Sequence, residues 1–388
     1  MVTTNRTSSF HFSFSVQAFL VVTLLNFCFA GVSRGQGPAV PIDGRNNIME
    51  IVHRYGQDRR PTQATPPKQS IEEPAGAVAS PEAQESSYRF QMAAALFEQR
   101  FDNLEQAARE ARTGKARFQG GIWKLWTFYE AVETPYMRQK ATEADWTAYF
   151  ASLNKWISAY PESPTPQVAL AMGYINYAWK ARGHGYSDTV DDTSWDLLAV
   201  RVAKAKSALI QASRLKEKCP NWYEAMQSVA IAEGWEKSQA RELLEQAVAF
   251  EPGYYHYYRE YANFLLPKWY GDEGEVEAFA EEVSNRVGGQ DGLFLYFEIA
   301  SVGTCQCDSG RGTLSNLSWP KIKQGYAALN KLYGLTSLKN NRYAYMAYAA
   351  DDRPAAKQVF PLIGDGFDPS VWRSKDSFEA ARAWATTP

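Results

Sequence analysis

ARELLEQAVAFEPGYYHYYREYANFLLPKW, residues 240–269, is the stretch that decides the fold of this chain. Ala240, Leu244, Ala247 and Pro252 have the spacing found in the second helix of a 34-residue helix-turn-helix repeat. The small residues let two helices approach, the leucine fills the groove beside them, and the proline ends the helix. Because one such unit cannot bury its apolar face alone, it must stack on neighbouring helix pairs.

The same helical pattern recurs from about residue 87 to the end of the chain. PQVALAMGYINYAWKARG, residues 166–183, opens on a proline and closes on a glycine, which is the expected punctuation of a helix. Strand-like alternation is nearly absent, and the pattern gives about seven helix pairs of unequal length. We therefore predict an all-α fold, an irregular α-α superhelix of helical hairpins or a closed ring of them.

The N-terminus has the pattern of an export signal. Residues 1–30 carry one charge, Arg6, before the apolar run AFLVVTLLNFCFA at 18–30, which small residues follow. This pattern predicts a secretory signal peptide and a periplasmic or extracellular location, and an uncleaved anchor is the alternative. No later apolar run reaches membrane-spanning length, so we expect no membrane span in the mature chain.

Composition divides the remainder into a tether and a helical region. Residues 31–86 are rich in Pro, Gln, Ala and Glu and predict a disordered tether, because they cannot bury enough apolar surface to fold. Residues 87–302 form the main helical domain in this prediction, and 303–388 continue the array. The 41 basic and 43 acidic residues nearly balance. Since attraction to phosphate needs a basic surplus, we expect no nucleic-acid partner.

Three stretches resemble one known family when they are taken together. They are WISAYPESPTPQVALAMGYINYAWKARGHGYSDTV at 156–190, KCPNWYEAMQSVAIAEGW at 218–235, and EPGYYHYYREYANFLLPKWYGDEGEVEAFAEE at 251–282. They are similar to the bacterial domain of unknown function 4034, a tetratricopeptide-like helical family, over about residues 87–302. The resemblance implies the fold, but this family has no established activity or catalytic residue to carry over.

Two long loops form the first candidate binding surface. They lie at 181–192 and 267–275 and exceed the short turn of a standard repeat, and long loops in compact domains are often functional. The candidate residues are Arg182, His184, Tyr186 and Asp188 in the first loop and Lys268, Trp269 and Tyr270 in the second. The alternative is structural, with the aromatic rings closing the ends of the helix stack.

A run of tyrosines forms the second candidate surface. Tyr254 and Tyr258 share one helix face with Tyr257 and Tyr261. Four hydroxyls make this face more polar than a usual core stripe and suit a groove that stacks on sugars or holds a peptide. The alternative is that the face packs against the neighbouring hairpin.

The cysteines of the mature chain predict one disulfide. In an oxidising compartment we expect Cys219 to pair with Cys305 or Cys307, and a free third thiol available for exchange is the alternative. Three sulfurs without a nearby histidine fall short of the usual four zinc ligands, so we predict no metal site.

Signals of catalysis are few. No zinc-protease, serine-hydrolase or phosphate-loop pattern occurs, so we predict no catalytic residue and no cofactor. The sequence favours an exported scaffold that binds a protein, peptide or glycan through an aromatic groove. One alternative is an α/α-type carbohydrate-active hydrolase with Asp188 and Glu260 as paired carboxylates. Another is a structural component of an envelope complex.

Overall fold

Helices make up almost all of the regular structure of the protein. The computed structural model describes residues 80–136, 140–183, 190–304, 314, 316–372 and 374–387. These residues contain fifteen α-helices and no β-strand, and an isolated bridge between Arg117 and Trp123 is their sole β-type pairing. The prediction of an all-α fold is confirmed.

The helices follow one another closely in the chain. The first eight are α1 (Pro81–Phe97), α2 (Phe101–Gly114), α3 (Lys124–Val132), α4 (Glu143–Ala159), α5 (Pro164–Arg182), α6 (Asp192–Arg214), α7 (Pro220–Glu233) and α8 (Lys237–Phe250). The others are α9 (His256–Phe264), α10 (Glu275–Val287), α11 (Gly289–Thr304), α12 (Trp319–Tyr333), α13 (Ser337–Ala349), α14 (Arg353–Ile363) and α15 (Lys375–Thr386). A 3₁₀ turn, Gln119–Gly121, precedes α3.

The contacts between helices divide the fold into two layers. The odd-numbered helices α1 to α13 contact one another in succession, and each even-numbered helix packs against at least one odd-numbered helix beside it. Seven hairpins followed by α15 therefore form an irregular α-α superhelix, as predicted. The odd-numbered helices are its inner layer.

The repeat register lies where its spacing predicts. Ala240, Leu244 and Ala247 of α8 are buried, the helix ends at Phe250, and Pro252 follows. α8 contacts α7 and α9, so the small residues face the neighbouring hairpins. This close approach of helices is the reason for small side chains at these positions.

The two ends of the array meet. The main-chain N–H of Ser337, at the start of α13, donates to the Glu82 carboxylate of α1 over 3.0 Å. The Gln119 amide of the 3₁₀ turn donates to the Leu335 carbonyl oxygen over 2.6 Å. Arg117 lies over the ring of Tyr333, 4.8 Å from its centre. The superhelix therefore turns back on itself, which favours the closed form of the two predicted arrangements.

The first described helix starts at residue 81 rather than at the predicted domain boundary of 87. Ser80 caps it by accepting a hydrogen bond from the Ala83 N–H over 3.1 Å, and Pro81 and Glu82 occupy its first turn. Serine, proline and glutamate are a helix-start pattern that the Pro-, Gln- and Glu-rich composition of the preceding segment obscures.

The predicted export signal and most of the tether lie outside the described residues, which begin at residue 80. Within the described part of the chain, no helix has both the length and the apolar character that a membrane span requires.

Candidate functional site

Polar and charged side chains are concentrated in the inner layer. We call twelve of them the inner polar cluster: Glu85 and Arg89 of α1, Trp126 and Glu130 of α3, Glu224 and Ser228 of α7, His256, Arg259 and Glu260 of α9, Glu298 of α11, and Lys339 and Arg342 of α13. Most are buried or half-buried. Because buried polar groups need partners, the contacts among these side chains decide what the cluster can do.

Charged and polar contacts connect the first inner helices. Arg89 of α1 pairs with Glu85 on its own helix and with Glu130 of α3. The indole N–H of Trp126 then donates to Glu224 Oε1 over 2.9 Å, which links α3 to α7. The inner helices are thus held together by specific polar contacts in addition to apolar packing.

Glu224 is the half-buried acid at the centre of this arrangement. Its second oxygen, Oε2, lies 3.1 Å from the Tyr254 hydroxyl oxygen. Burial raises the pKa of Glu224 to about 8; the hydrogen bonds from Trp126 and Tyr254 oppose this rise, and the nearby carboxylates of Glu133 and Glu130 add to it. Glu224 therefore holds its proton at neutral pH, and a neutral carboxyl group can donate as well as accept a hydrogen bond.

Glu260 is a second buried acid on the same side of the cluster. Its Oε1 accepts a hydrogen bond from the Ser228 hydroxyl over 2.8 Å, linking α9 to α7. Burial and the neighbouring Glu224 raise the pKa of Glu260 well above its ordinary value, against the smaller effects of Ser228 and Arg259. Two acids with raised pKa values therefore lie within electrostatic reach of each other in the inner layer.

Cations surround a single carboxylate at the other side of the cluster. Glu298 is fully buried and pairs with Lys339, with Arg259 at 3.1 Å, and more distantly with Arg342 at 3.8 Å. Burial alone would raise the pKa of Glu298, but the three cations outweigh it and lower that pKa. Burial also lowers the pKa of Lys339 to about 7; Glu298 opposes this effect, and the charges of Arg342 and Arg259 add to it.

His256 lies between the acidic and basic sides. Its imidazole stacks on Trp126, with ring centres 4.7 Å apart, and on Tyr255 at 4.1 Å. Burial lowers the pKa of His256 well below its ordinary value, and the charges of Arg259 and Lys339 lower it further. The ring is therefore neutral, and its buried Nε2 has no hydrogen-bond partner.

The predicted tyrosine groove is part of the core instead. Tyr254 and Tyr258 are 0% exposed, and their three neighbours Tyr255, Tyr257 and Tyr261 are buried too. The reason is that α9 belongs to the inner layer and contacts α7, α8, α10 and α11, which cover its tyrosine rings. Neither Tyr254 nor Tyr258 presents an exposed ring to a ligand. Tyr254 instead contacts Glu224 through its hydroxyl group.

The second candidate loop packs against α5, the helix that leads into the first candidate loop. Trp269 is buried and packs edge-on against Trp179 at the end of α5, with ring centres 6.5 Å apart. Tyr270 donates to the Ile231 carbonyl oxygen over 2.8 Å. Trp269 and Tyr270 thus pack against other helices of the stack. This is the structural role given above as the alternative to ligand binding for the second loop.

The basic residues of these loops differ in exposure. Arg182 is buried, and its guanidinium lies 5.4 Å from the centre of the Trp195 ring, whereas Lys268 is exposed. His184, Tyr186 and Asp188 lie outside the described residues. A ligand-binding role for the first loop therefore stays a prediction.

Cys219 is a buried free thiol at the start of α7. Its sulfur lies 3.3 Å from the Tyr129 hydroxyl. Cys305 and Cys307 lie outside the described residues, so the predicted pairing with either stays a prediction. Across the described ranges, no group of three or more His, Cys, Asp and Glu side chains could hold a metal ion.

Sequence reasoning missed most of the inner polar cluster. Glu298 lies in the apolar helix pattern GLFLYFEIASV, where a lone charge is a usable signal because burying a charge requires a partner. Lys339 and Arg342 are three residues apart and share a helix face, but nothing local connects them to Glu298.

No family model matches the chain, and no curated protein or solved structure matches it. The resemblance to the bacterial domain of unknown function therefore stays a prediction, and the inner polar cluster is the basis on which a function can be proposed.

Proposed function

We propose that the protein is an exported helical scaffold that binds a protein, peptide or glycan, with the inner polar cluster as its contact surface. The observation that carries this proposal is the position of Glu224, a half-buried acid that contacts Trp126 and Tyr254 and whose pKa burial raises to about 8. A protonated carboxyl group beside the indole of Trp126 presents both donor and acceptor to a polar ligand. Ligand sites commonly combine aromatic walls with a few such placed polar groups.

Unpartnered polar atoms of the inner helices support the same site. Thr127 Oγ1, Asn221 Nδ2, Gln227 Oε1 and His256 Nε2 are buried without a hydrogen-bond partner in the structure. An unpaired buried polar group costs free energy, and several on neighbouring helices need an explanation. A ligand rich in hydroxyl or amide groups would pair with such atoms.

Glycan hydrolysis would need a second carboxyl group beside Glu224 or Glu260. Hydrolysis by two carboxyl groups needs one protonated acid and one ionised base or nucleophile. Burial raises the pKa of both Glu224 and Glu260, which suits either group to the protonated role and leaves the ionised role to another carboxylate. Asp188, the other carboxylate of the predicted pair, lies outside the described residues.

The test is ligand capture by the mature chain, from envelope extract and on peptide and glycan arrays. Glu224→Ala should weaken binding about tenfold or more, since truncating a central contact costs more than 1 kcal/mol. Glu224→Gln should bind like the parent, because an amide reproduces the donor and acceptor of the protonated acid. Glu242→Ala, at an exposed position of α8, is the matched control and should bind normally.

Equal binding by Glu224→Ala and the parent would place the contact surface elsewhere. Absence of any ligand would favour the structural component of an envelope complex. Turnover of a glycan that is lost in Glu224→Gln would identify a hydrolase instead.

A further inference from the structure

The basic side of the inner polar cluster holds more positive than negative charge. Glu298 pairs with Arg259 and Lys339 and lies 3.8 Å from Arg342, so three cations share this carboxylate. Glu85 of α1 is the other acid close enough to Lys339 for their charges to interact, and it already pairs with Arg89. Buried charges are normally paired one for one, because each ion loses its hydration on burial.

Arg342 is the least satisfied of the three cations. Its side chain is 4% exposed, and its Nε has no hydrogen-bond partner. Its NH1 lies 3.8 Å from Glu298 Oε2, too far for a hydrogen bond. A guanidinium has five N–H donors in a planar fork that matches a carboxylate or phosphate group.

The surroundings include a further unpartnered polar atom and a more exposed cation. The unpartnered Nε2 of His256 is buried within the electrostatic reach of Arg259, Lys339 and Arg342. Arg259 is 12% exposed and donates to Glu298 from one edge of the cluster. Arg259 is therefore more exposed to solvent than Arg342, whose side chain is 4% exposed.

We propose that Arg342, Lys339 and Arg259 form an anion subsite that takes a carboxylate or phosphate group of the ligand. The inference rests on the proposed function, because it names one chemical group of the ligand that the inner polar cluster binds. The anion would accept hydrogen bonds from the Arg342 fork and balance the surplus charge beside Glu298. No covalent step is involved.

Thermal unfolding of the full chain tests the subsite with sodium phosphate and sodium acetate, each compared with sodium chloride at equal ionic strength. Both the parent and Arg241→Gln should show a saturable rise in Tm with at least one of the two anions, beyond the chloride effect. Arg241 is the matched control because it pairs with Glu282 at the surface. A response to phosphate alone or to acetate alone identifies the group that the subsite takes.

Arg342→Gln should reduce the apparent affinity for the anion about tenfold, since a hydrogen bond to a charged group is lost. Arg342→Lys, which keeps the charge without the fork, should show an intermediate affinity. If Arg342→Gln does not fold, Arg342→Lys alone tests the subsite, and its affinity for the anion should be lower than that of the parent.

An unchanged response in both Arg342 variants, or a parent response no larger than that to chloride, would overturn the subsite. The scaffold proposal is tested separately by ligand capture and Glu224→Ala. Capture without an anion response would reject the subsite alone, and an anion response without capture would reject the scaffold proposal alone.

Discussion

Replacing Glu298 with glutamine tests the electrostatics of the inner layer most severely. Glutamine keeps the shape of the side chain and removes the charge that Lys339, Arg259 and Arg342 share. Removing one partner of a buried ion pair costs about 3–5 kcal/mol, because the remaining charge is left buried. Glu298 is 0% exposed, so solvent does not screen this loss. We expect Glu298→Gln to lose about 3–5 kcal/mol of unfolding free energy at pH 6.

The loss should shrink as the pH rises, and the sign follows from Lys339. Its pKa is already lowered to about 7 in the folded protein, and losing Glu298 lowers it further. The unfolded chain keeps this lysine protonated up to about pH 10, so the unfolded state binds more protons and stability rises with pH. In folded Glu298→Gln, Lys339 can release its proton, which removes one buried charge and so recovers part of the lost unfolding free energy. Arg259 and Arg342 stay charged and cannot do so.

Urea unfolding followed by circular dichroism, at pH 6 and pH 8, measures both effects. Glu282→Gln is the control, because Glu282 pairs with Arg241 at the surface and should cost no more than about 1 kcal/mol. A cost below about 1 kcal/mol for Glu298→Gln at pH 6, or equal costs for the two variants, would refute the reasoning.

Three further predictions concern the packing, the acids and the closure of the array. Gly271→Ala should destabilise the protein by about 1–3 kcal/mol, because its Cβ would lie 1.8 Å from the Leu265 carbonyl oxygen; urea unfolding measures this. Glu224→Gln should gain stability over the parent as the pH rises from 5 to 8. The pKa of Glu224 is about 8 in the folded protein and lower in the unfolded chain, so the folded state binds more protons between pH 5 and pH 8. The parent therefore loses up to about 1.4 kcal/mol of unfolding free energy per pH unit across that range, whereas the variant has no group here to titrate. A chain starting at residue 87 should be less stable than one starting at residue 80 by at least about 1 kcal/mol, because it lacks the Glu82 hydrogen bond; thermal unfolding compares them.

Each of these predictions has a matched comparison. Gly114→Ala adds a Cβ that meets nothing within 4 Å and should be neutral or slightly stabilising, so equal losses at both glycines would contradict the clash. Glu242→Gln, at an exposed site, should not change the pH dependence, and a parallel profile for Glu224→Gln would exclude the raised pKa. Equal unfolding temperatures for the two truncated chains would mean that residues 80–86 contribute nothing to closure.

Local pattern was enough to predict the helices. Proline at the start and glycine after the end of α5 reproduce its bounds to within two residues at the N-terminus, and Ser163 caps it. The small residues of α8 are buried as their spacing requires. Helical period and end signals act over a few residues, so the sequence displays them directly.

The tyrosine ladder shows why the candidate site was harder to predict. Its hydroxyls suggested a wet groove, but Tyr254 donates to Asn221 over 2.6 Å and Tyr257 donates to the Glu251 carbonyl oxygen over 2.5 Å. With such partners a tyrosine can be buried like phenylalanine. Because α9 contacts four other helices, its own periodicity shows no broad exposed face that marks a binding surface.

Closure and the charged cluster depend on contacts between distant parts of the chain. Ser337 and Glu82 are 255 residues apart, and Lys339 and Glu298 are 41 apart. No spacing rule within a helix connects such positions. The lone charge of Glu298 in an apolar pattern was the sole local sign that a buried partner was needed.

Cross-linking of the two ends tests the closed array most directly. Cysteines at positions 82 and 337, in a chain whose native cysteines are replaced by alanine, would stand where the Glu82 carboxylate meets the Ser337 N–H at 3.0 Å. Mild oxidation or a short bismaleimide should give an intrachain cross-link in the folded monomer that urea abolishes, detected by peptide mass spectrometry. Absence of this cross-link in the folded chain, with both thiols reactive, would contradict closure and the inner polar cluster that depends on it.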